Sequence, residues 1–116
     1  MIKIYGIKNC NTMKKTFDYL DSKNVPYEFH DYKKAGLDVD TTKEWLSNFG
    51  WQAVINTRGR TWRQLPDDVK EAANEESVVP LAENNPSMVK RPILVQGDQV
   101  VLGFDQDAID HAFDLL

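Results

Sequence analysis

The first third of the chain alternates between short apolar runs and one amphipathic segment. Residues 1–6 predict a buried strand, and residues 11–23 place Met13, Phe17 and Leu20 at the spacing of one helical face. Residues 27–32 alternate between apolar and polar positions with period two, which predicts a second strand. This order of strand, helix and strand predicts a right-handed crossover and parallel pairing of the two strands.

The pattern becomes helical in the middle of the chain. Thr41 and Glu44 have the spacing of a capping box, and the helix they open is expected to end at Gly50. A further helix is predicted from residue 66 to about residue 76. Two prolines are expected to divide the residues beyond it into short helical pieces, namely Pro80 and Pro86.

The last third predicts a hairpin followed by a helix. Two apolar runs, residues 92–95 and 100–102, flank a turn sequence containing Gly97, and the residues that follow repeat with helical spacing up to Leu116. Asp105 and Asp107 suit the positive end of that closing helix. The whole order predicts an α/β fold, a thioredoxin-like (glutaredoxin-like) mixed sheet in a single domain of residues 1–116, with a helical insertion over about 38–89.

Cys10 is the only cysteine and lies where the first strand gives way to the first helix. A helix N-terminus offers unpaired N–H groups and a positive dipole end, and Lys8 and Lys14 add positive charge nearby. Such a setting lowers a free-cysteine pKa from about 8.5 to roughly 3.5–7.5, and the thiolate is the nucleophile. The alternative, a small buried apolar residue, is disfavoured by the polar neighbours Asn9 and Asn11.

Arginines supply candidate anion ligands, because a guanidinium presents a planar fork of donors to oxyanions and carboxylates. Arg91 begins the third strand, which in a thioredoxin-like sheet faces the N-terminus of the first helix. Pro92 then occupies the place where that fold normally carries a cis-proline beside the active site. Arg60 and Arg63 lie in a glycine-containing segment, where solvated or locally paired side chains are the ordinary outcome.

Composition narrows the classes of function. The net charge of −4 over 116 residues argues against general nucleic-acid binding. One cysteine excludes an intrachain disulfide and a thiolate-rich metal site, and no metal-ligand spacing or cofactor motif is present. No apolar run has transmembrane length and no signal peptide opens the chain, so a cytoplasmic protein without membrane contact is expected. We expect a monomer with no bound cofactor.

Three segments carry a resemblance to a known family. They are Ile4-Tyr5-Gly6-Ile7-Lys8-Asn9-Cys10-Asn11-Thr12, Asn56-Thr57-Arg58-Gly59-Arg60-Thr61-Trp62-Arg63-Gln64-Leu65, and Lys90-Arg91-Pro92-Ile93-Leu94-Val95 with Gly103-Phe104. In this order they resemble the arsenate reductase (ArsC) family, which includes the Spx regulators and the YffB-type proteins, and the YffB-type branch is the most similar. The resemblance implies that Cys10 is catalytic and that Arg58 and Arg91 bind an oxyanion.

Two departures from the family pattern bear on the substrate. Family members that use glutaredoxin carry a third arginine after the last strand, where this chain has Phe104, and a histidine before the cysteine, where it has Gly6. Both losses weaken the case for arsenate, a multiply charged ligand. Spx proteins often carry a second cysteine three residues after the first, and Met13 stands there, so a local disulfide switch is excluded.

The resemblance implies a glutathione-dependent monothiol oxidoreductase of arsenate-reductase type. The Cys10 thiolate would attack a small oxyanion or a mixed disulfide. Arg58 and Arg91 would hold its negative charge, and Lys8, Asn11 and Pro92 complete the predicted substrate site. Glutathione, with or without glutaredoxin, is the expected thiol co-substrate. The alternatives are a noncatalytic Spx-like transcriptional regulator that binds RNA polymerase, and a glutathione-binding protein without efficient chemistry.

Overall fold

A four-stranded mixed sheet organises the computed structural model, which describes all 116 residues. The strand order is β2-β1-β3-β4, with β1 and β2 parallel and the pairs β1–β3 and β3–β4 antiparallel. The elements in chain order are β1 Ile2–Gly6, α1 Asn11–Ser22, β2 Tyr27–Asp31, α2 Tyr32–Ala35, α3 Val39–Phe49, α4 Trp51–Val54, α5 Arg60–Arg63, α6 Asp67–Glu71, α7 Val78–Asn84, a 3₁₀ helix Pro86–Met88, β3 Ile93–Gln96, β4 Gln99–Leu102 and α8 Gln106–Ala112. The predicted α/β fold, its parallel crossover and its hairpin are confirmed.

The chain forms two compact units. The first contains residues 1–35 and 91–116, which hold the whole sheet together with α1, α2 and α8. The second contains residues 36–90 and is helical, apart from an isolated bridge between Ile55 and Val89. The assignment of residues 1–116 to one domain, with an insertion over about 38–89, stays a prediction.

The core of the first unit lies between the sheet and two helices. Apolar side chains of β1, β3 and β4 pack there with those of α1 and α8, and burial of one such large side chain contributes about 1.5–3 kcal/mol. Phe17 of α1 extends this packing at the β2 edge, where its ring centroid lies 5.3 Å from that of Tyr27. The buried cluster consists of Ile2, Ile4, Met13, Leu20, Leu94, Val101, Ile109 and Phe113. This packing fixes α1, and with it the residues at its N-terminus.

The second unit has its own buried apolar side chains, which include two tryptophans. Trp45 and Trp62 are buried, and the ring centroid of Trp62 lies 5.5 Å from that of Trp51. The backbone N–H of Asn56 donates to the carbonyl of Met88 at 2.7 Å, which ties the segment after α4 to the 3₁₀ helix. These contacts hold the loop that leads to Arg58. Neither unit contains an apolar helix of membrane-spanning length.

Two helix starts differ from the sequence prediction because aspartates cap them. β2 ends at Asp31, whose carboxylate accepts from the backbone N–H groups of Lys33 and Lys34, so Tyr32 begins a helical turn and does not extend the strand. α3 begins at Val39, since the Asp38 carboxylate accepts from the backbone N–H of Thr41 at 3.1 Å. The predicted capping box at Thr41 is therefore wrong.

Three predictions about helix extent are also wrong. α6 ends at Glu71 and not near residue 76, because the side chain of Asn74 accepts from two nearby backbone N–H groups and forms a turn instead. Pro80 lies inside the first turn of α7, where a backbone N–H has no intrahelical partner, so it does not end that helix. α8 ends at Ala112, and Leu116 is exposed.

Candidate functional site

Cys10 lies at the sheet edge where β1 ends, in the extended conformation that precedes α1. Its backbone carbonyl accepts from the N–H of Lys14 at 3.0 Å, so Cys10 is the residue that caps the helix. Asn9, the residue before it, has a φ of 65°, in the left-handed region that asparagine tolerates better than most residues. This turn at Asn9 directs the chain from the strand into the helix and sets the position of the sulfur.

Replacement of Asn9 by alanine is expected to destabilise the protein, whereas glycine at the same position should not. The left-handed conformation costs about 1–2 kcal/mol for a residue with a Cβ atom, and glycine has none. Urea unfolding of Asn9→Ala, Asn9→Gly and the wild type measures the difference. Equal stability of the alanine and glycine variants would show that the turn does not need the left-handed conformation.

The electrostatic environment of Cys10 favours the thiolate. Partial burial raises the pKa of the thiol, but the backbone N–H of Met13, the Arg91 side chain and the N–H of Thr12 together outweigh burial and lower the pKa below its ordinary value. The structure therefore favours a nucleophilic sulfur at this position.

Arg91 is the charged side chain that reaches the sulfur. It lies two residues before β3 and precedes Pro92 across a cis peptide bond. Because β3 runs antiparallel to β1, its first residues meet the end of β1, as the pairing of Tyr5 with Ile93 shows. The guanidinium is half-buried and hydrogen-bonded both to Cys10 and to the side chain of Tyr32. The sequence-predicted pair of Cys10 and Arg91 is thus brought together.

Tyr32 is a member of this arrangement that the sequence analysis did not single out. Its side chain is fully buried at the first position of α2 and contacts Arg91. Gly6 pairs with Asp31 in the parallel register, so the residue after Asp31 lies at the same sheet edge as the turn to Cys10. Because parallel strands end at one edge of a sheet, the sequence could have indicated that Tyr32, at the end of β2, lies near Cys10.

A cavity of about 430 Å³ opens beside the sulfur, along the N-terminal half of α1. Lys8 and Asn11, two predicted substrate ligands, line it and are exposed to solvent. Lys14 forms a 2.7 Å salt bridge with Asp18 on its wall. The complete lining is Lys8, Asn9, Cys10, Asn11, Met13, Lys14, Phe17 and Asp18. The cavity gives a group bound to the sulfur both apolar and cationic surface.

Arg58 belongs to the second unit and lines a different cavity. This cavity of about 320 Å³ contains two cationic side chains and no acidic one, with the lining residues Gln52, Ala53, Ile55, Asn56, Thr57, Arg58 and Lys90. Such a lining suits an anion. Arg60 and Arg63 lie on the four-residue helix α5 and are exposed. The role of Arg58 as a second ligand of the substrate at Cys10 stays a prediction.

A model of the ArsC family matches residues 5–112, nearly the whole chain. The chain belongs to the ArsC family. A solved structure described as the YFFB protein is 41% identical, covering 97% of this chain and 98% of its own, with a TM-score of 0.92. An arsenate reductase-related protein from Brucella melitensis is also 41% identical, with 97% and 93% coverage and a TM-score of 0.77.

The curated relatives include proteins of two kinds. An uncharacterized protein of Haemophilus influenzae is 36% identical over 97% of this chain and 99% of its own. A global transcriptional regulator Spx of Listeria innocua is 25% identical over 94% of this chain and 84% of its own. The ArsC family thus includes proteins related to thiol oxidoreductases and, in another branch, transcriptional regulators. This chain is similar to members of both branches.

The two departures from the family pattern have structural counterparts. Phe104, at the place of the third arginine, packs against the core of the first unit, and its ring lies edge-on to that of Tyr19. A Cβ atom on Gly6, at the place of the histidine, would overlap the buried side chain of Met13. Apolar packing therefore surrounds both of these positions in this chain.

Proposed function

We propose that this ArsC-family protein is a glutathione-dependent thiol oxidoreductase that reduces glutathione mixed disulfides. The observation that carries the proposal is the environment of Cys10, where two backbone N–H groups and Arg91 lower the pKa of the thiol. A thiolate attacks disulfides, whereas a thiol does not, so a lowered pKa increases the fraction of Cys10 that can react. Arg91 adds a positive charge at the point where an anionic substrate would approach.

The proposed reaction has two exchange steps. The Cys10 thiolate attacks the glutathione sulfur of a mixed disulfide, which forms a Cys10–glutathione disulfide, breaks the substrate disulfide and releases the substrate thiolate. Because the chain has no second cysteine, a second glutathione thiolate must then attack the adduct. That step forms glutathione disulfide and restores the Cys10 thiolate. Glutaredoxin is the alternative thiol donor for the second step.

The cationic residues have proposed roles in holding glutathione. Glutathione carries two carboxylates, and Arg91 at the sulfur and Lys8 in the adjacent cavity offer them charged donors. Asn11 lines the same cavity, and the buried Pro92 lies beside Arg91 on the main chain. Arg58 is proposed as a further ligand for the substrate's negative charge. A mixed disulfide needs fewer cationic donors than arsenate, which suits the apolar packing of Phe104.

A coupled assay tests the proposal and its oxyanion alternative together. Purified protein is incubated with glutathione, glutathione reductase and NADPH, with either a glutathione mixed disulfide or arsenate as substrate, and with or without glutaredoxin. We expect NADPH oxidation above the enzyme-free rate with the mixed disulfide. Turnover of arsenate alone would make the protein an oxyanion reductase, and absence of turnover with both substrates would contradict the proposal.

A second candidate function follows from the Spx relatives, which match this chain over 94% of its length. A noncatalytic regulator would use the same fold to bind RNA polymerase, with Cys10 responding to oxidation without turnover. Tagged wild-type protein and Cys10→Ser can be tested for co-purification of polymerase subunits. Recovery of the subunits together with a silent turnover assay would favour this candidate over the enzyme.

A further inference from the structure

Arg91 is the link between the candidate nucleophile and a buried tyrosine. Its guanidinium is hydrogen-bonded to the Cys10 sulfur and to the side chain of Tyr32. An arginine has five N–H donors and no acceptor, so in the second contact the Tyr32 hydroxyl oxygen accepts. One guanidinium therefore contacts two partners. Because the guanidinium is a planar, rigid fork, its contact with Tyr32 constrains how it is oriented toward the Cys10 sulfur.

The burial of Tyr32 makes this contact specific. Tyr32 has 0% relative exposure, and no buried polar side-chain atom in the structure is without a hydrogen-bond partner. The ring is therefore packed on all sides, and the buried hydroxyl has a hydrogen-bond partner. Asp31 caps the turn at which Tyr32 lies through the N–H groups of Lys33 and Lys34, which fixes the backbone there as well. A rigid acceptor of this kind restricts the guanidinium to few orientations.

The acceptor is also electrically neutral. Burial raises the pKa of Tyr32 to about 12, although Arg91 acts in the opposite direction, so the hydroxyl stays protonated near neutral pH. A carboxylate in this place would pair with the guanidinium charge and weaken its effect on the sulfur. A neutral oxygen holds the guanidinium and leaves its charge available to the thiolate.

We propose that Tyr32 is a positioning residue, whose buried hydroxyl holds the Arg91 guanidinium against the Cys10 sulfur without neutralising it. In this role Tyr32 acts on the sulfur through Arg91. The inference rests on the proposed function in one respect, namely that the Cys10 thiolate is used to attack a substrate. The arrangement itself concerns only the ionisation of Cys10, so it can be tested without any substrate.

The test is the pH profile of Cys10 alkylation by iodoacetamide. Below the profile's midpoint the rate follows the thiolate fraction, and above it the rate reaches a plateau. For Tyr32→Phe we expect a midpoint at higher pH and a rate at acidic pH about three- to tenfold lower, with the plateau unchanged. An unchanged plateau separates a change in ionisation from a change in access to the sulfur.

Other charged groups lie near the site, and a matched control separates the effect of the Tyr32 hydroxyl from theirs. Lys8, Lys14 and Asp18 line the cavity at Cys10, and Asp31 precedes Tyr32, but none of them is altered by the substitution. Tyr27→Phe removes a hydroxyl from the opposite end of β2, and its profile should superimpose on that of the wild type. A superimposable profile for Tyr32→Phe as well would overturn the inference.

A double-mutant cycle shows whether Tyr32 acts through Arg91. In an Arg91→Ala background, Tyr32→Phe should cause no further change in the profile, whereas an independent effect would add to that of Arg91→Ala. If Tyr32→Phe does not fold, Arg91→Lys provides the second test, since lysine keeps the charge but lacks the fork that joins both partners. A wild-type profile for Arg91→Lys would then contradict the inference.

These results are separable from the fate of the proposed function. A shifted alkylation profile together with absent turnover would retain Tyr32 as the residue that positions Arg91 and would remove the enzymatic role. Turnover of a mixed disulfide together with an unchanged alkylation profile for Tyr32→Phe would retain the enzymatic role and would remove the positioning role of Tyr32.

Discussion

Replacement of Cys10 by serine is expected to reduce mixed-disulfide turnover to the rate of the enzyme-free control. A serine hydroxyl is not ionised at neutral pH, and the chain has no other cysteine that could replace the lost nucleophile. The coupled glutathione assay measures the loss. Residual turnover by Cys10→Ser above the enzyme-free rate would contradict a mechanism in which the Cys10 sulfur attacks.

A covalent intermediate provides a second readout for the same substitution. Wild-type protein treated with a glutathione mixed disulfide should gain the mass of one glutathionyl group, and added glutathione should remove it. Cys10→Ser should gain nothing under the same conditions. Adduct formation without turnover would show that Cys10 attacks but that glutathione does not resolve the disulfide, which would point to glutaredoxin as the thiol donor.

The loss of turnover must be separated from a loss of folding. Because the pKa of Cys10 is lowered in the folded protein, the thiolate contributes stability that is fully present above the thiol's ordinary pKa and is lost as pH falls through the folded-state pKa. Cys10→Ser should therefore lose more stability relative to the wild type at alkaline than at acidic pH. Urea unfolding at both pH values tests this sign.

The sequence predicted the elements that place Cys10. The pattern from residue 1 to residue 32 was sufficient to predict β1, α1 and a parallel β2, because each has a clear period and a marked end. The position of Arg91 near Cys10 was predicted from the thioredoxin-like fold, in which the start of the third strand faces the N-terminus of the first helix, and the antiparallel pairing of β3 with β1 is the structural reason for it.

The missed features depend on local hydrogen bonds that periodicity does not show. The carboxylates of Asp31 and Asp38 decide where α2 and α3 begin, and the amide of Asn74 helps to end α6. Tyr32 was assigned to a strand, so its side chain was not considered for the site. Whether a buried hydroxyl meets a guanidinium depends on packing that no sequence period encodes.

Replacement of Arg91 by alanine is expected to lower turnover about ten- to hundredfold at pH 7. A hydrogen bond to a charged group contributes about 1.5–3 kcal/mol, and Arg91 makes one with the thiolate and is proposed to make another with the substrate. Burial raises the pKa of Cys10 and the guanidinium lowers it, so removal of the guanidinium should raise the pKa of the thiol toward its ordinary value. The alkylation profile should move to higher pH.

Lys15→Ala is the matched control for the removal of a positive charge, because Lys15 is exposed on α1 and does not line the cavity. Its turnover and alkylation profile should equal those of the wild type. If Arg91→Ala reduced turnover without moving the profile, Arg91 would bind the substrate but would not stabilise the thiolate. A changed profile with wild-type turnover at pH 7 would mean that attack by Cys10 does not limit the rate, and turnover should then fall at lower pH, where the thiolate is scarce.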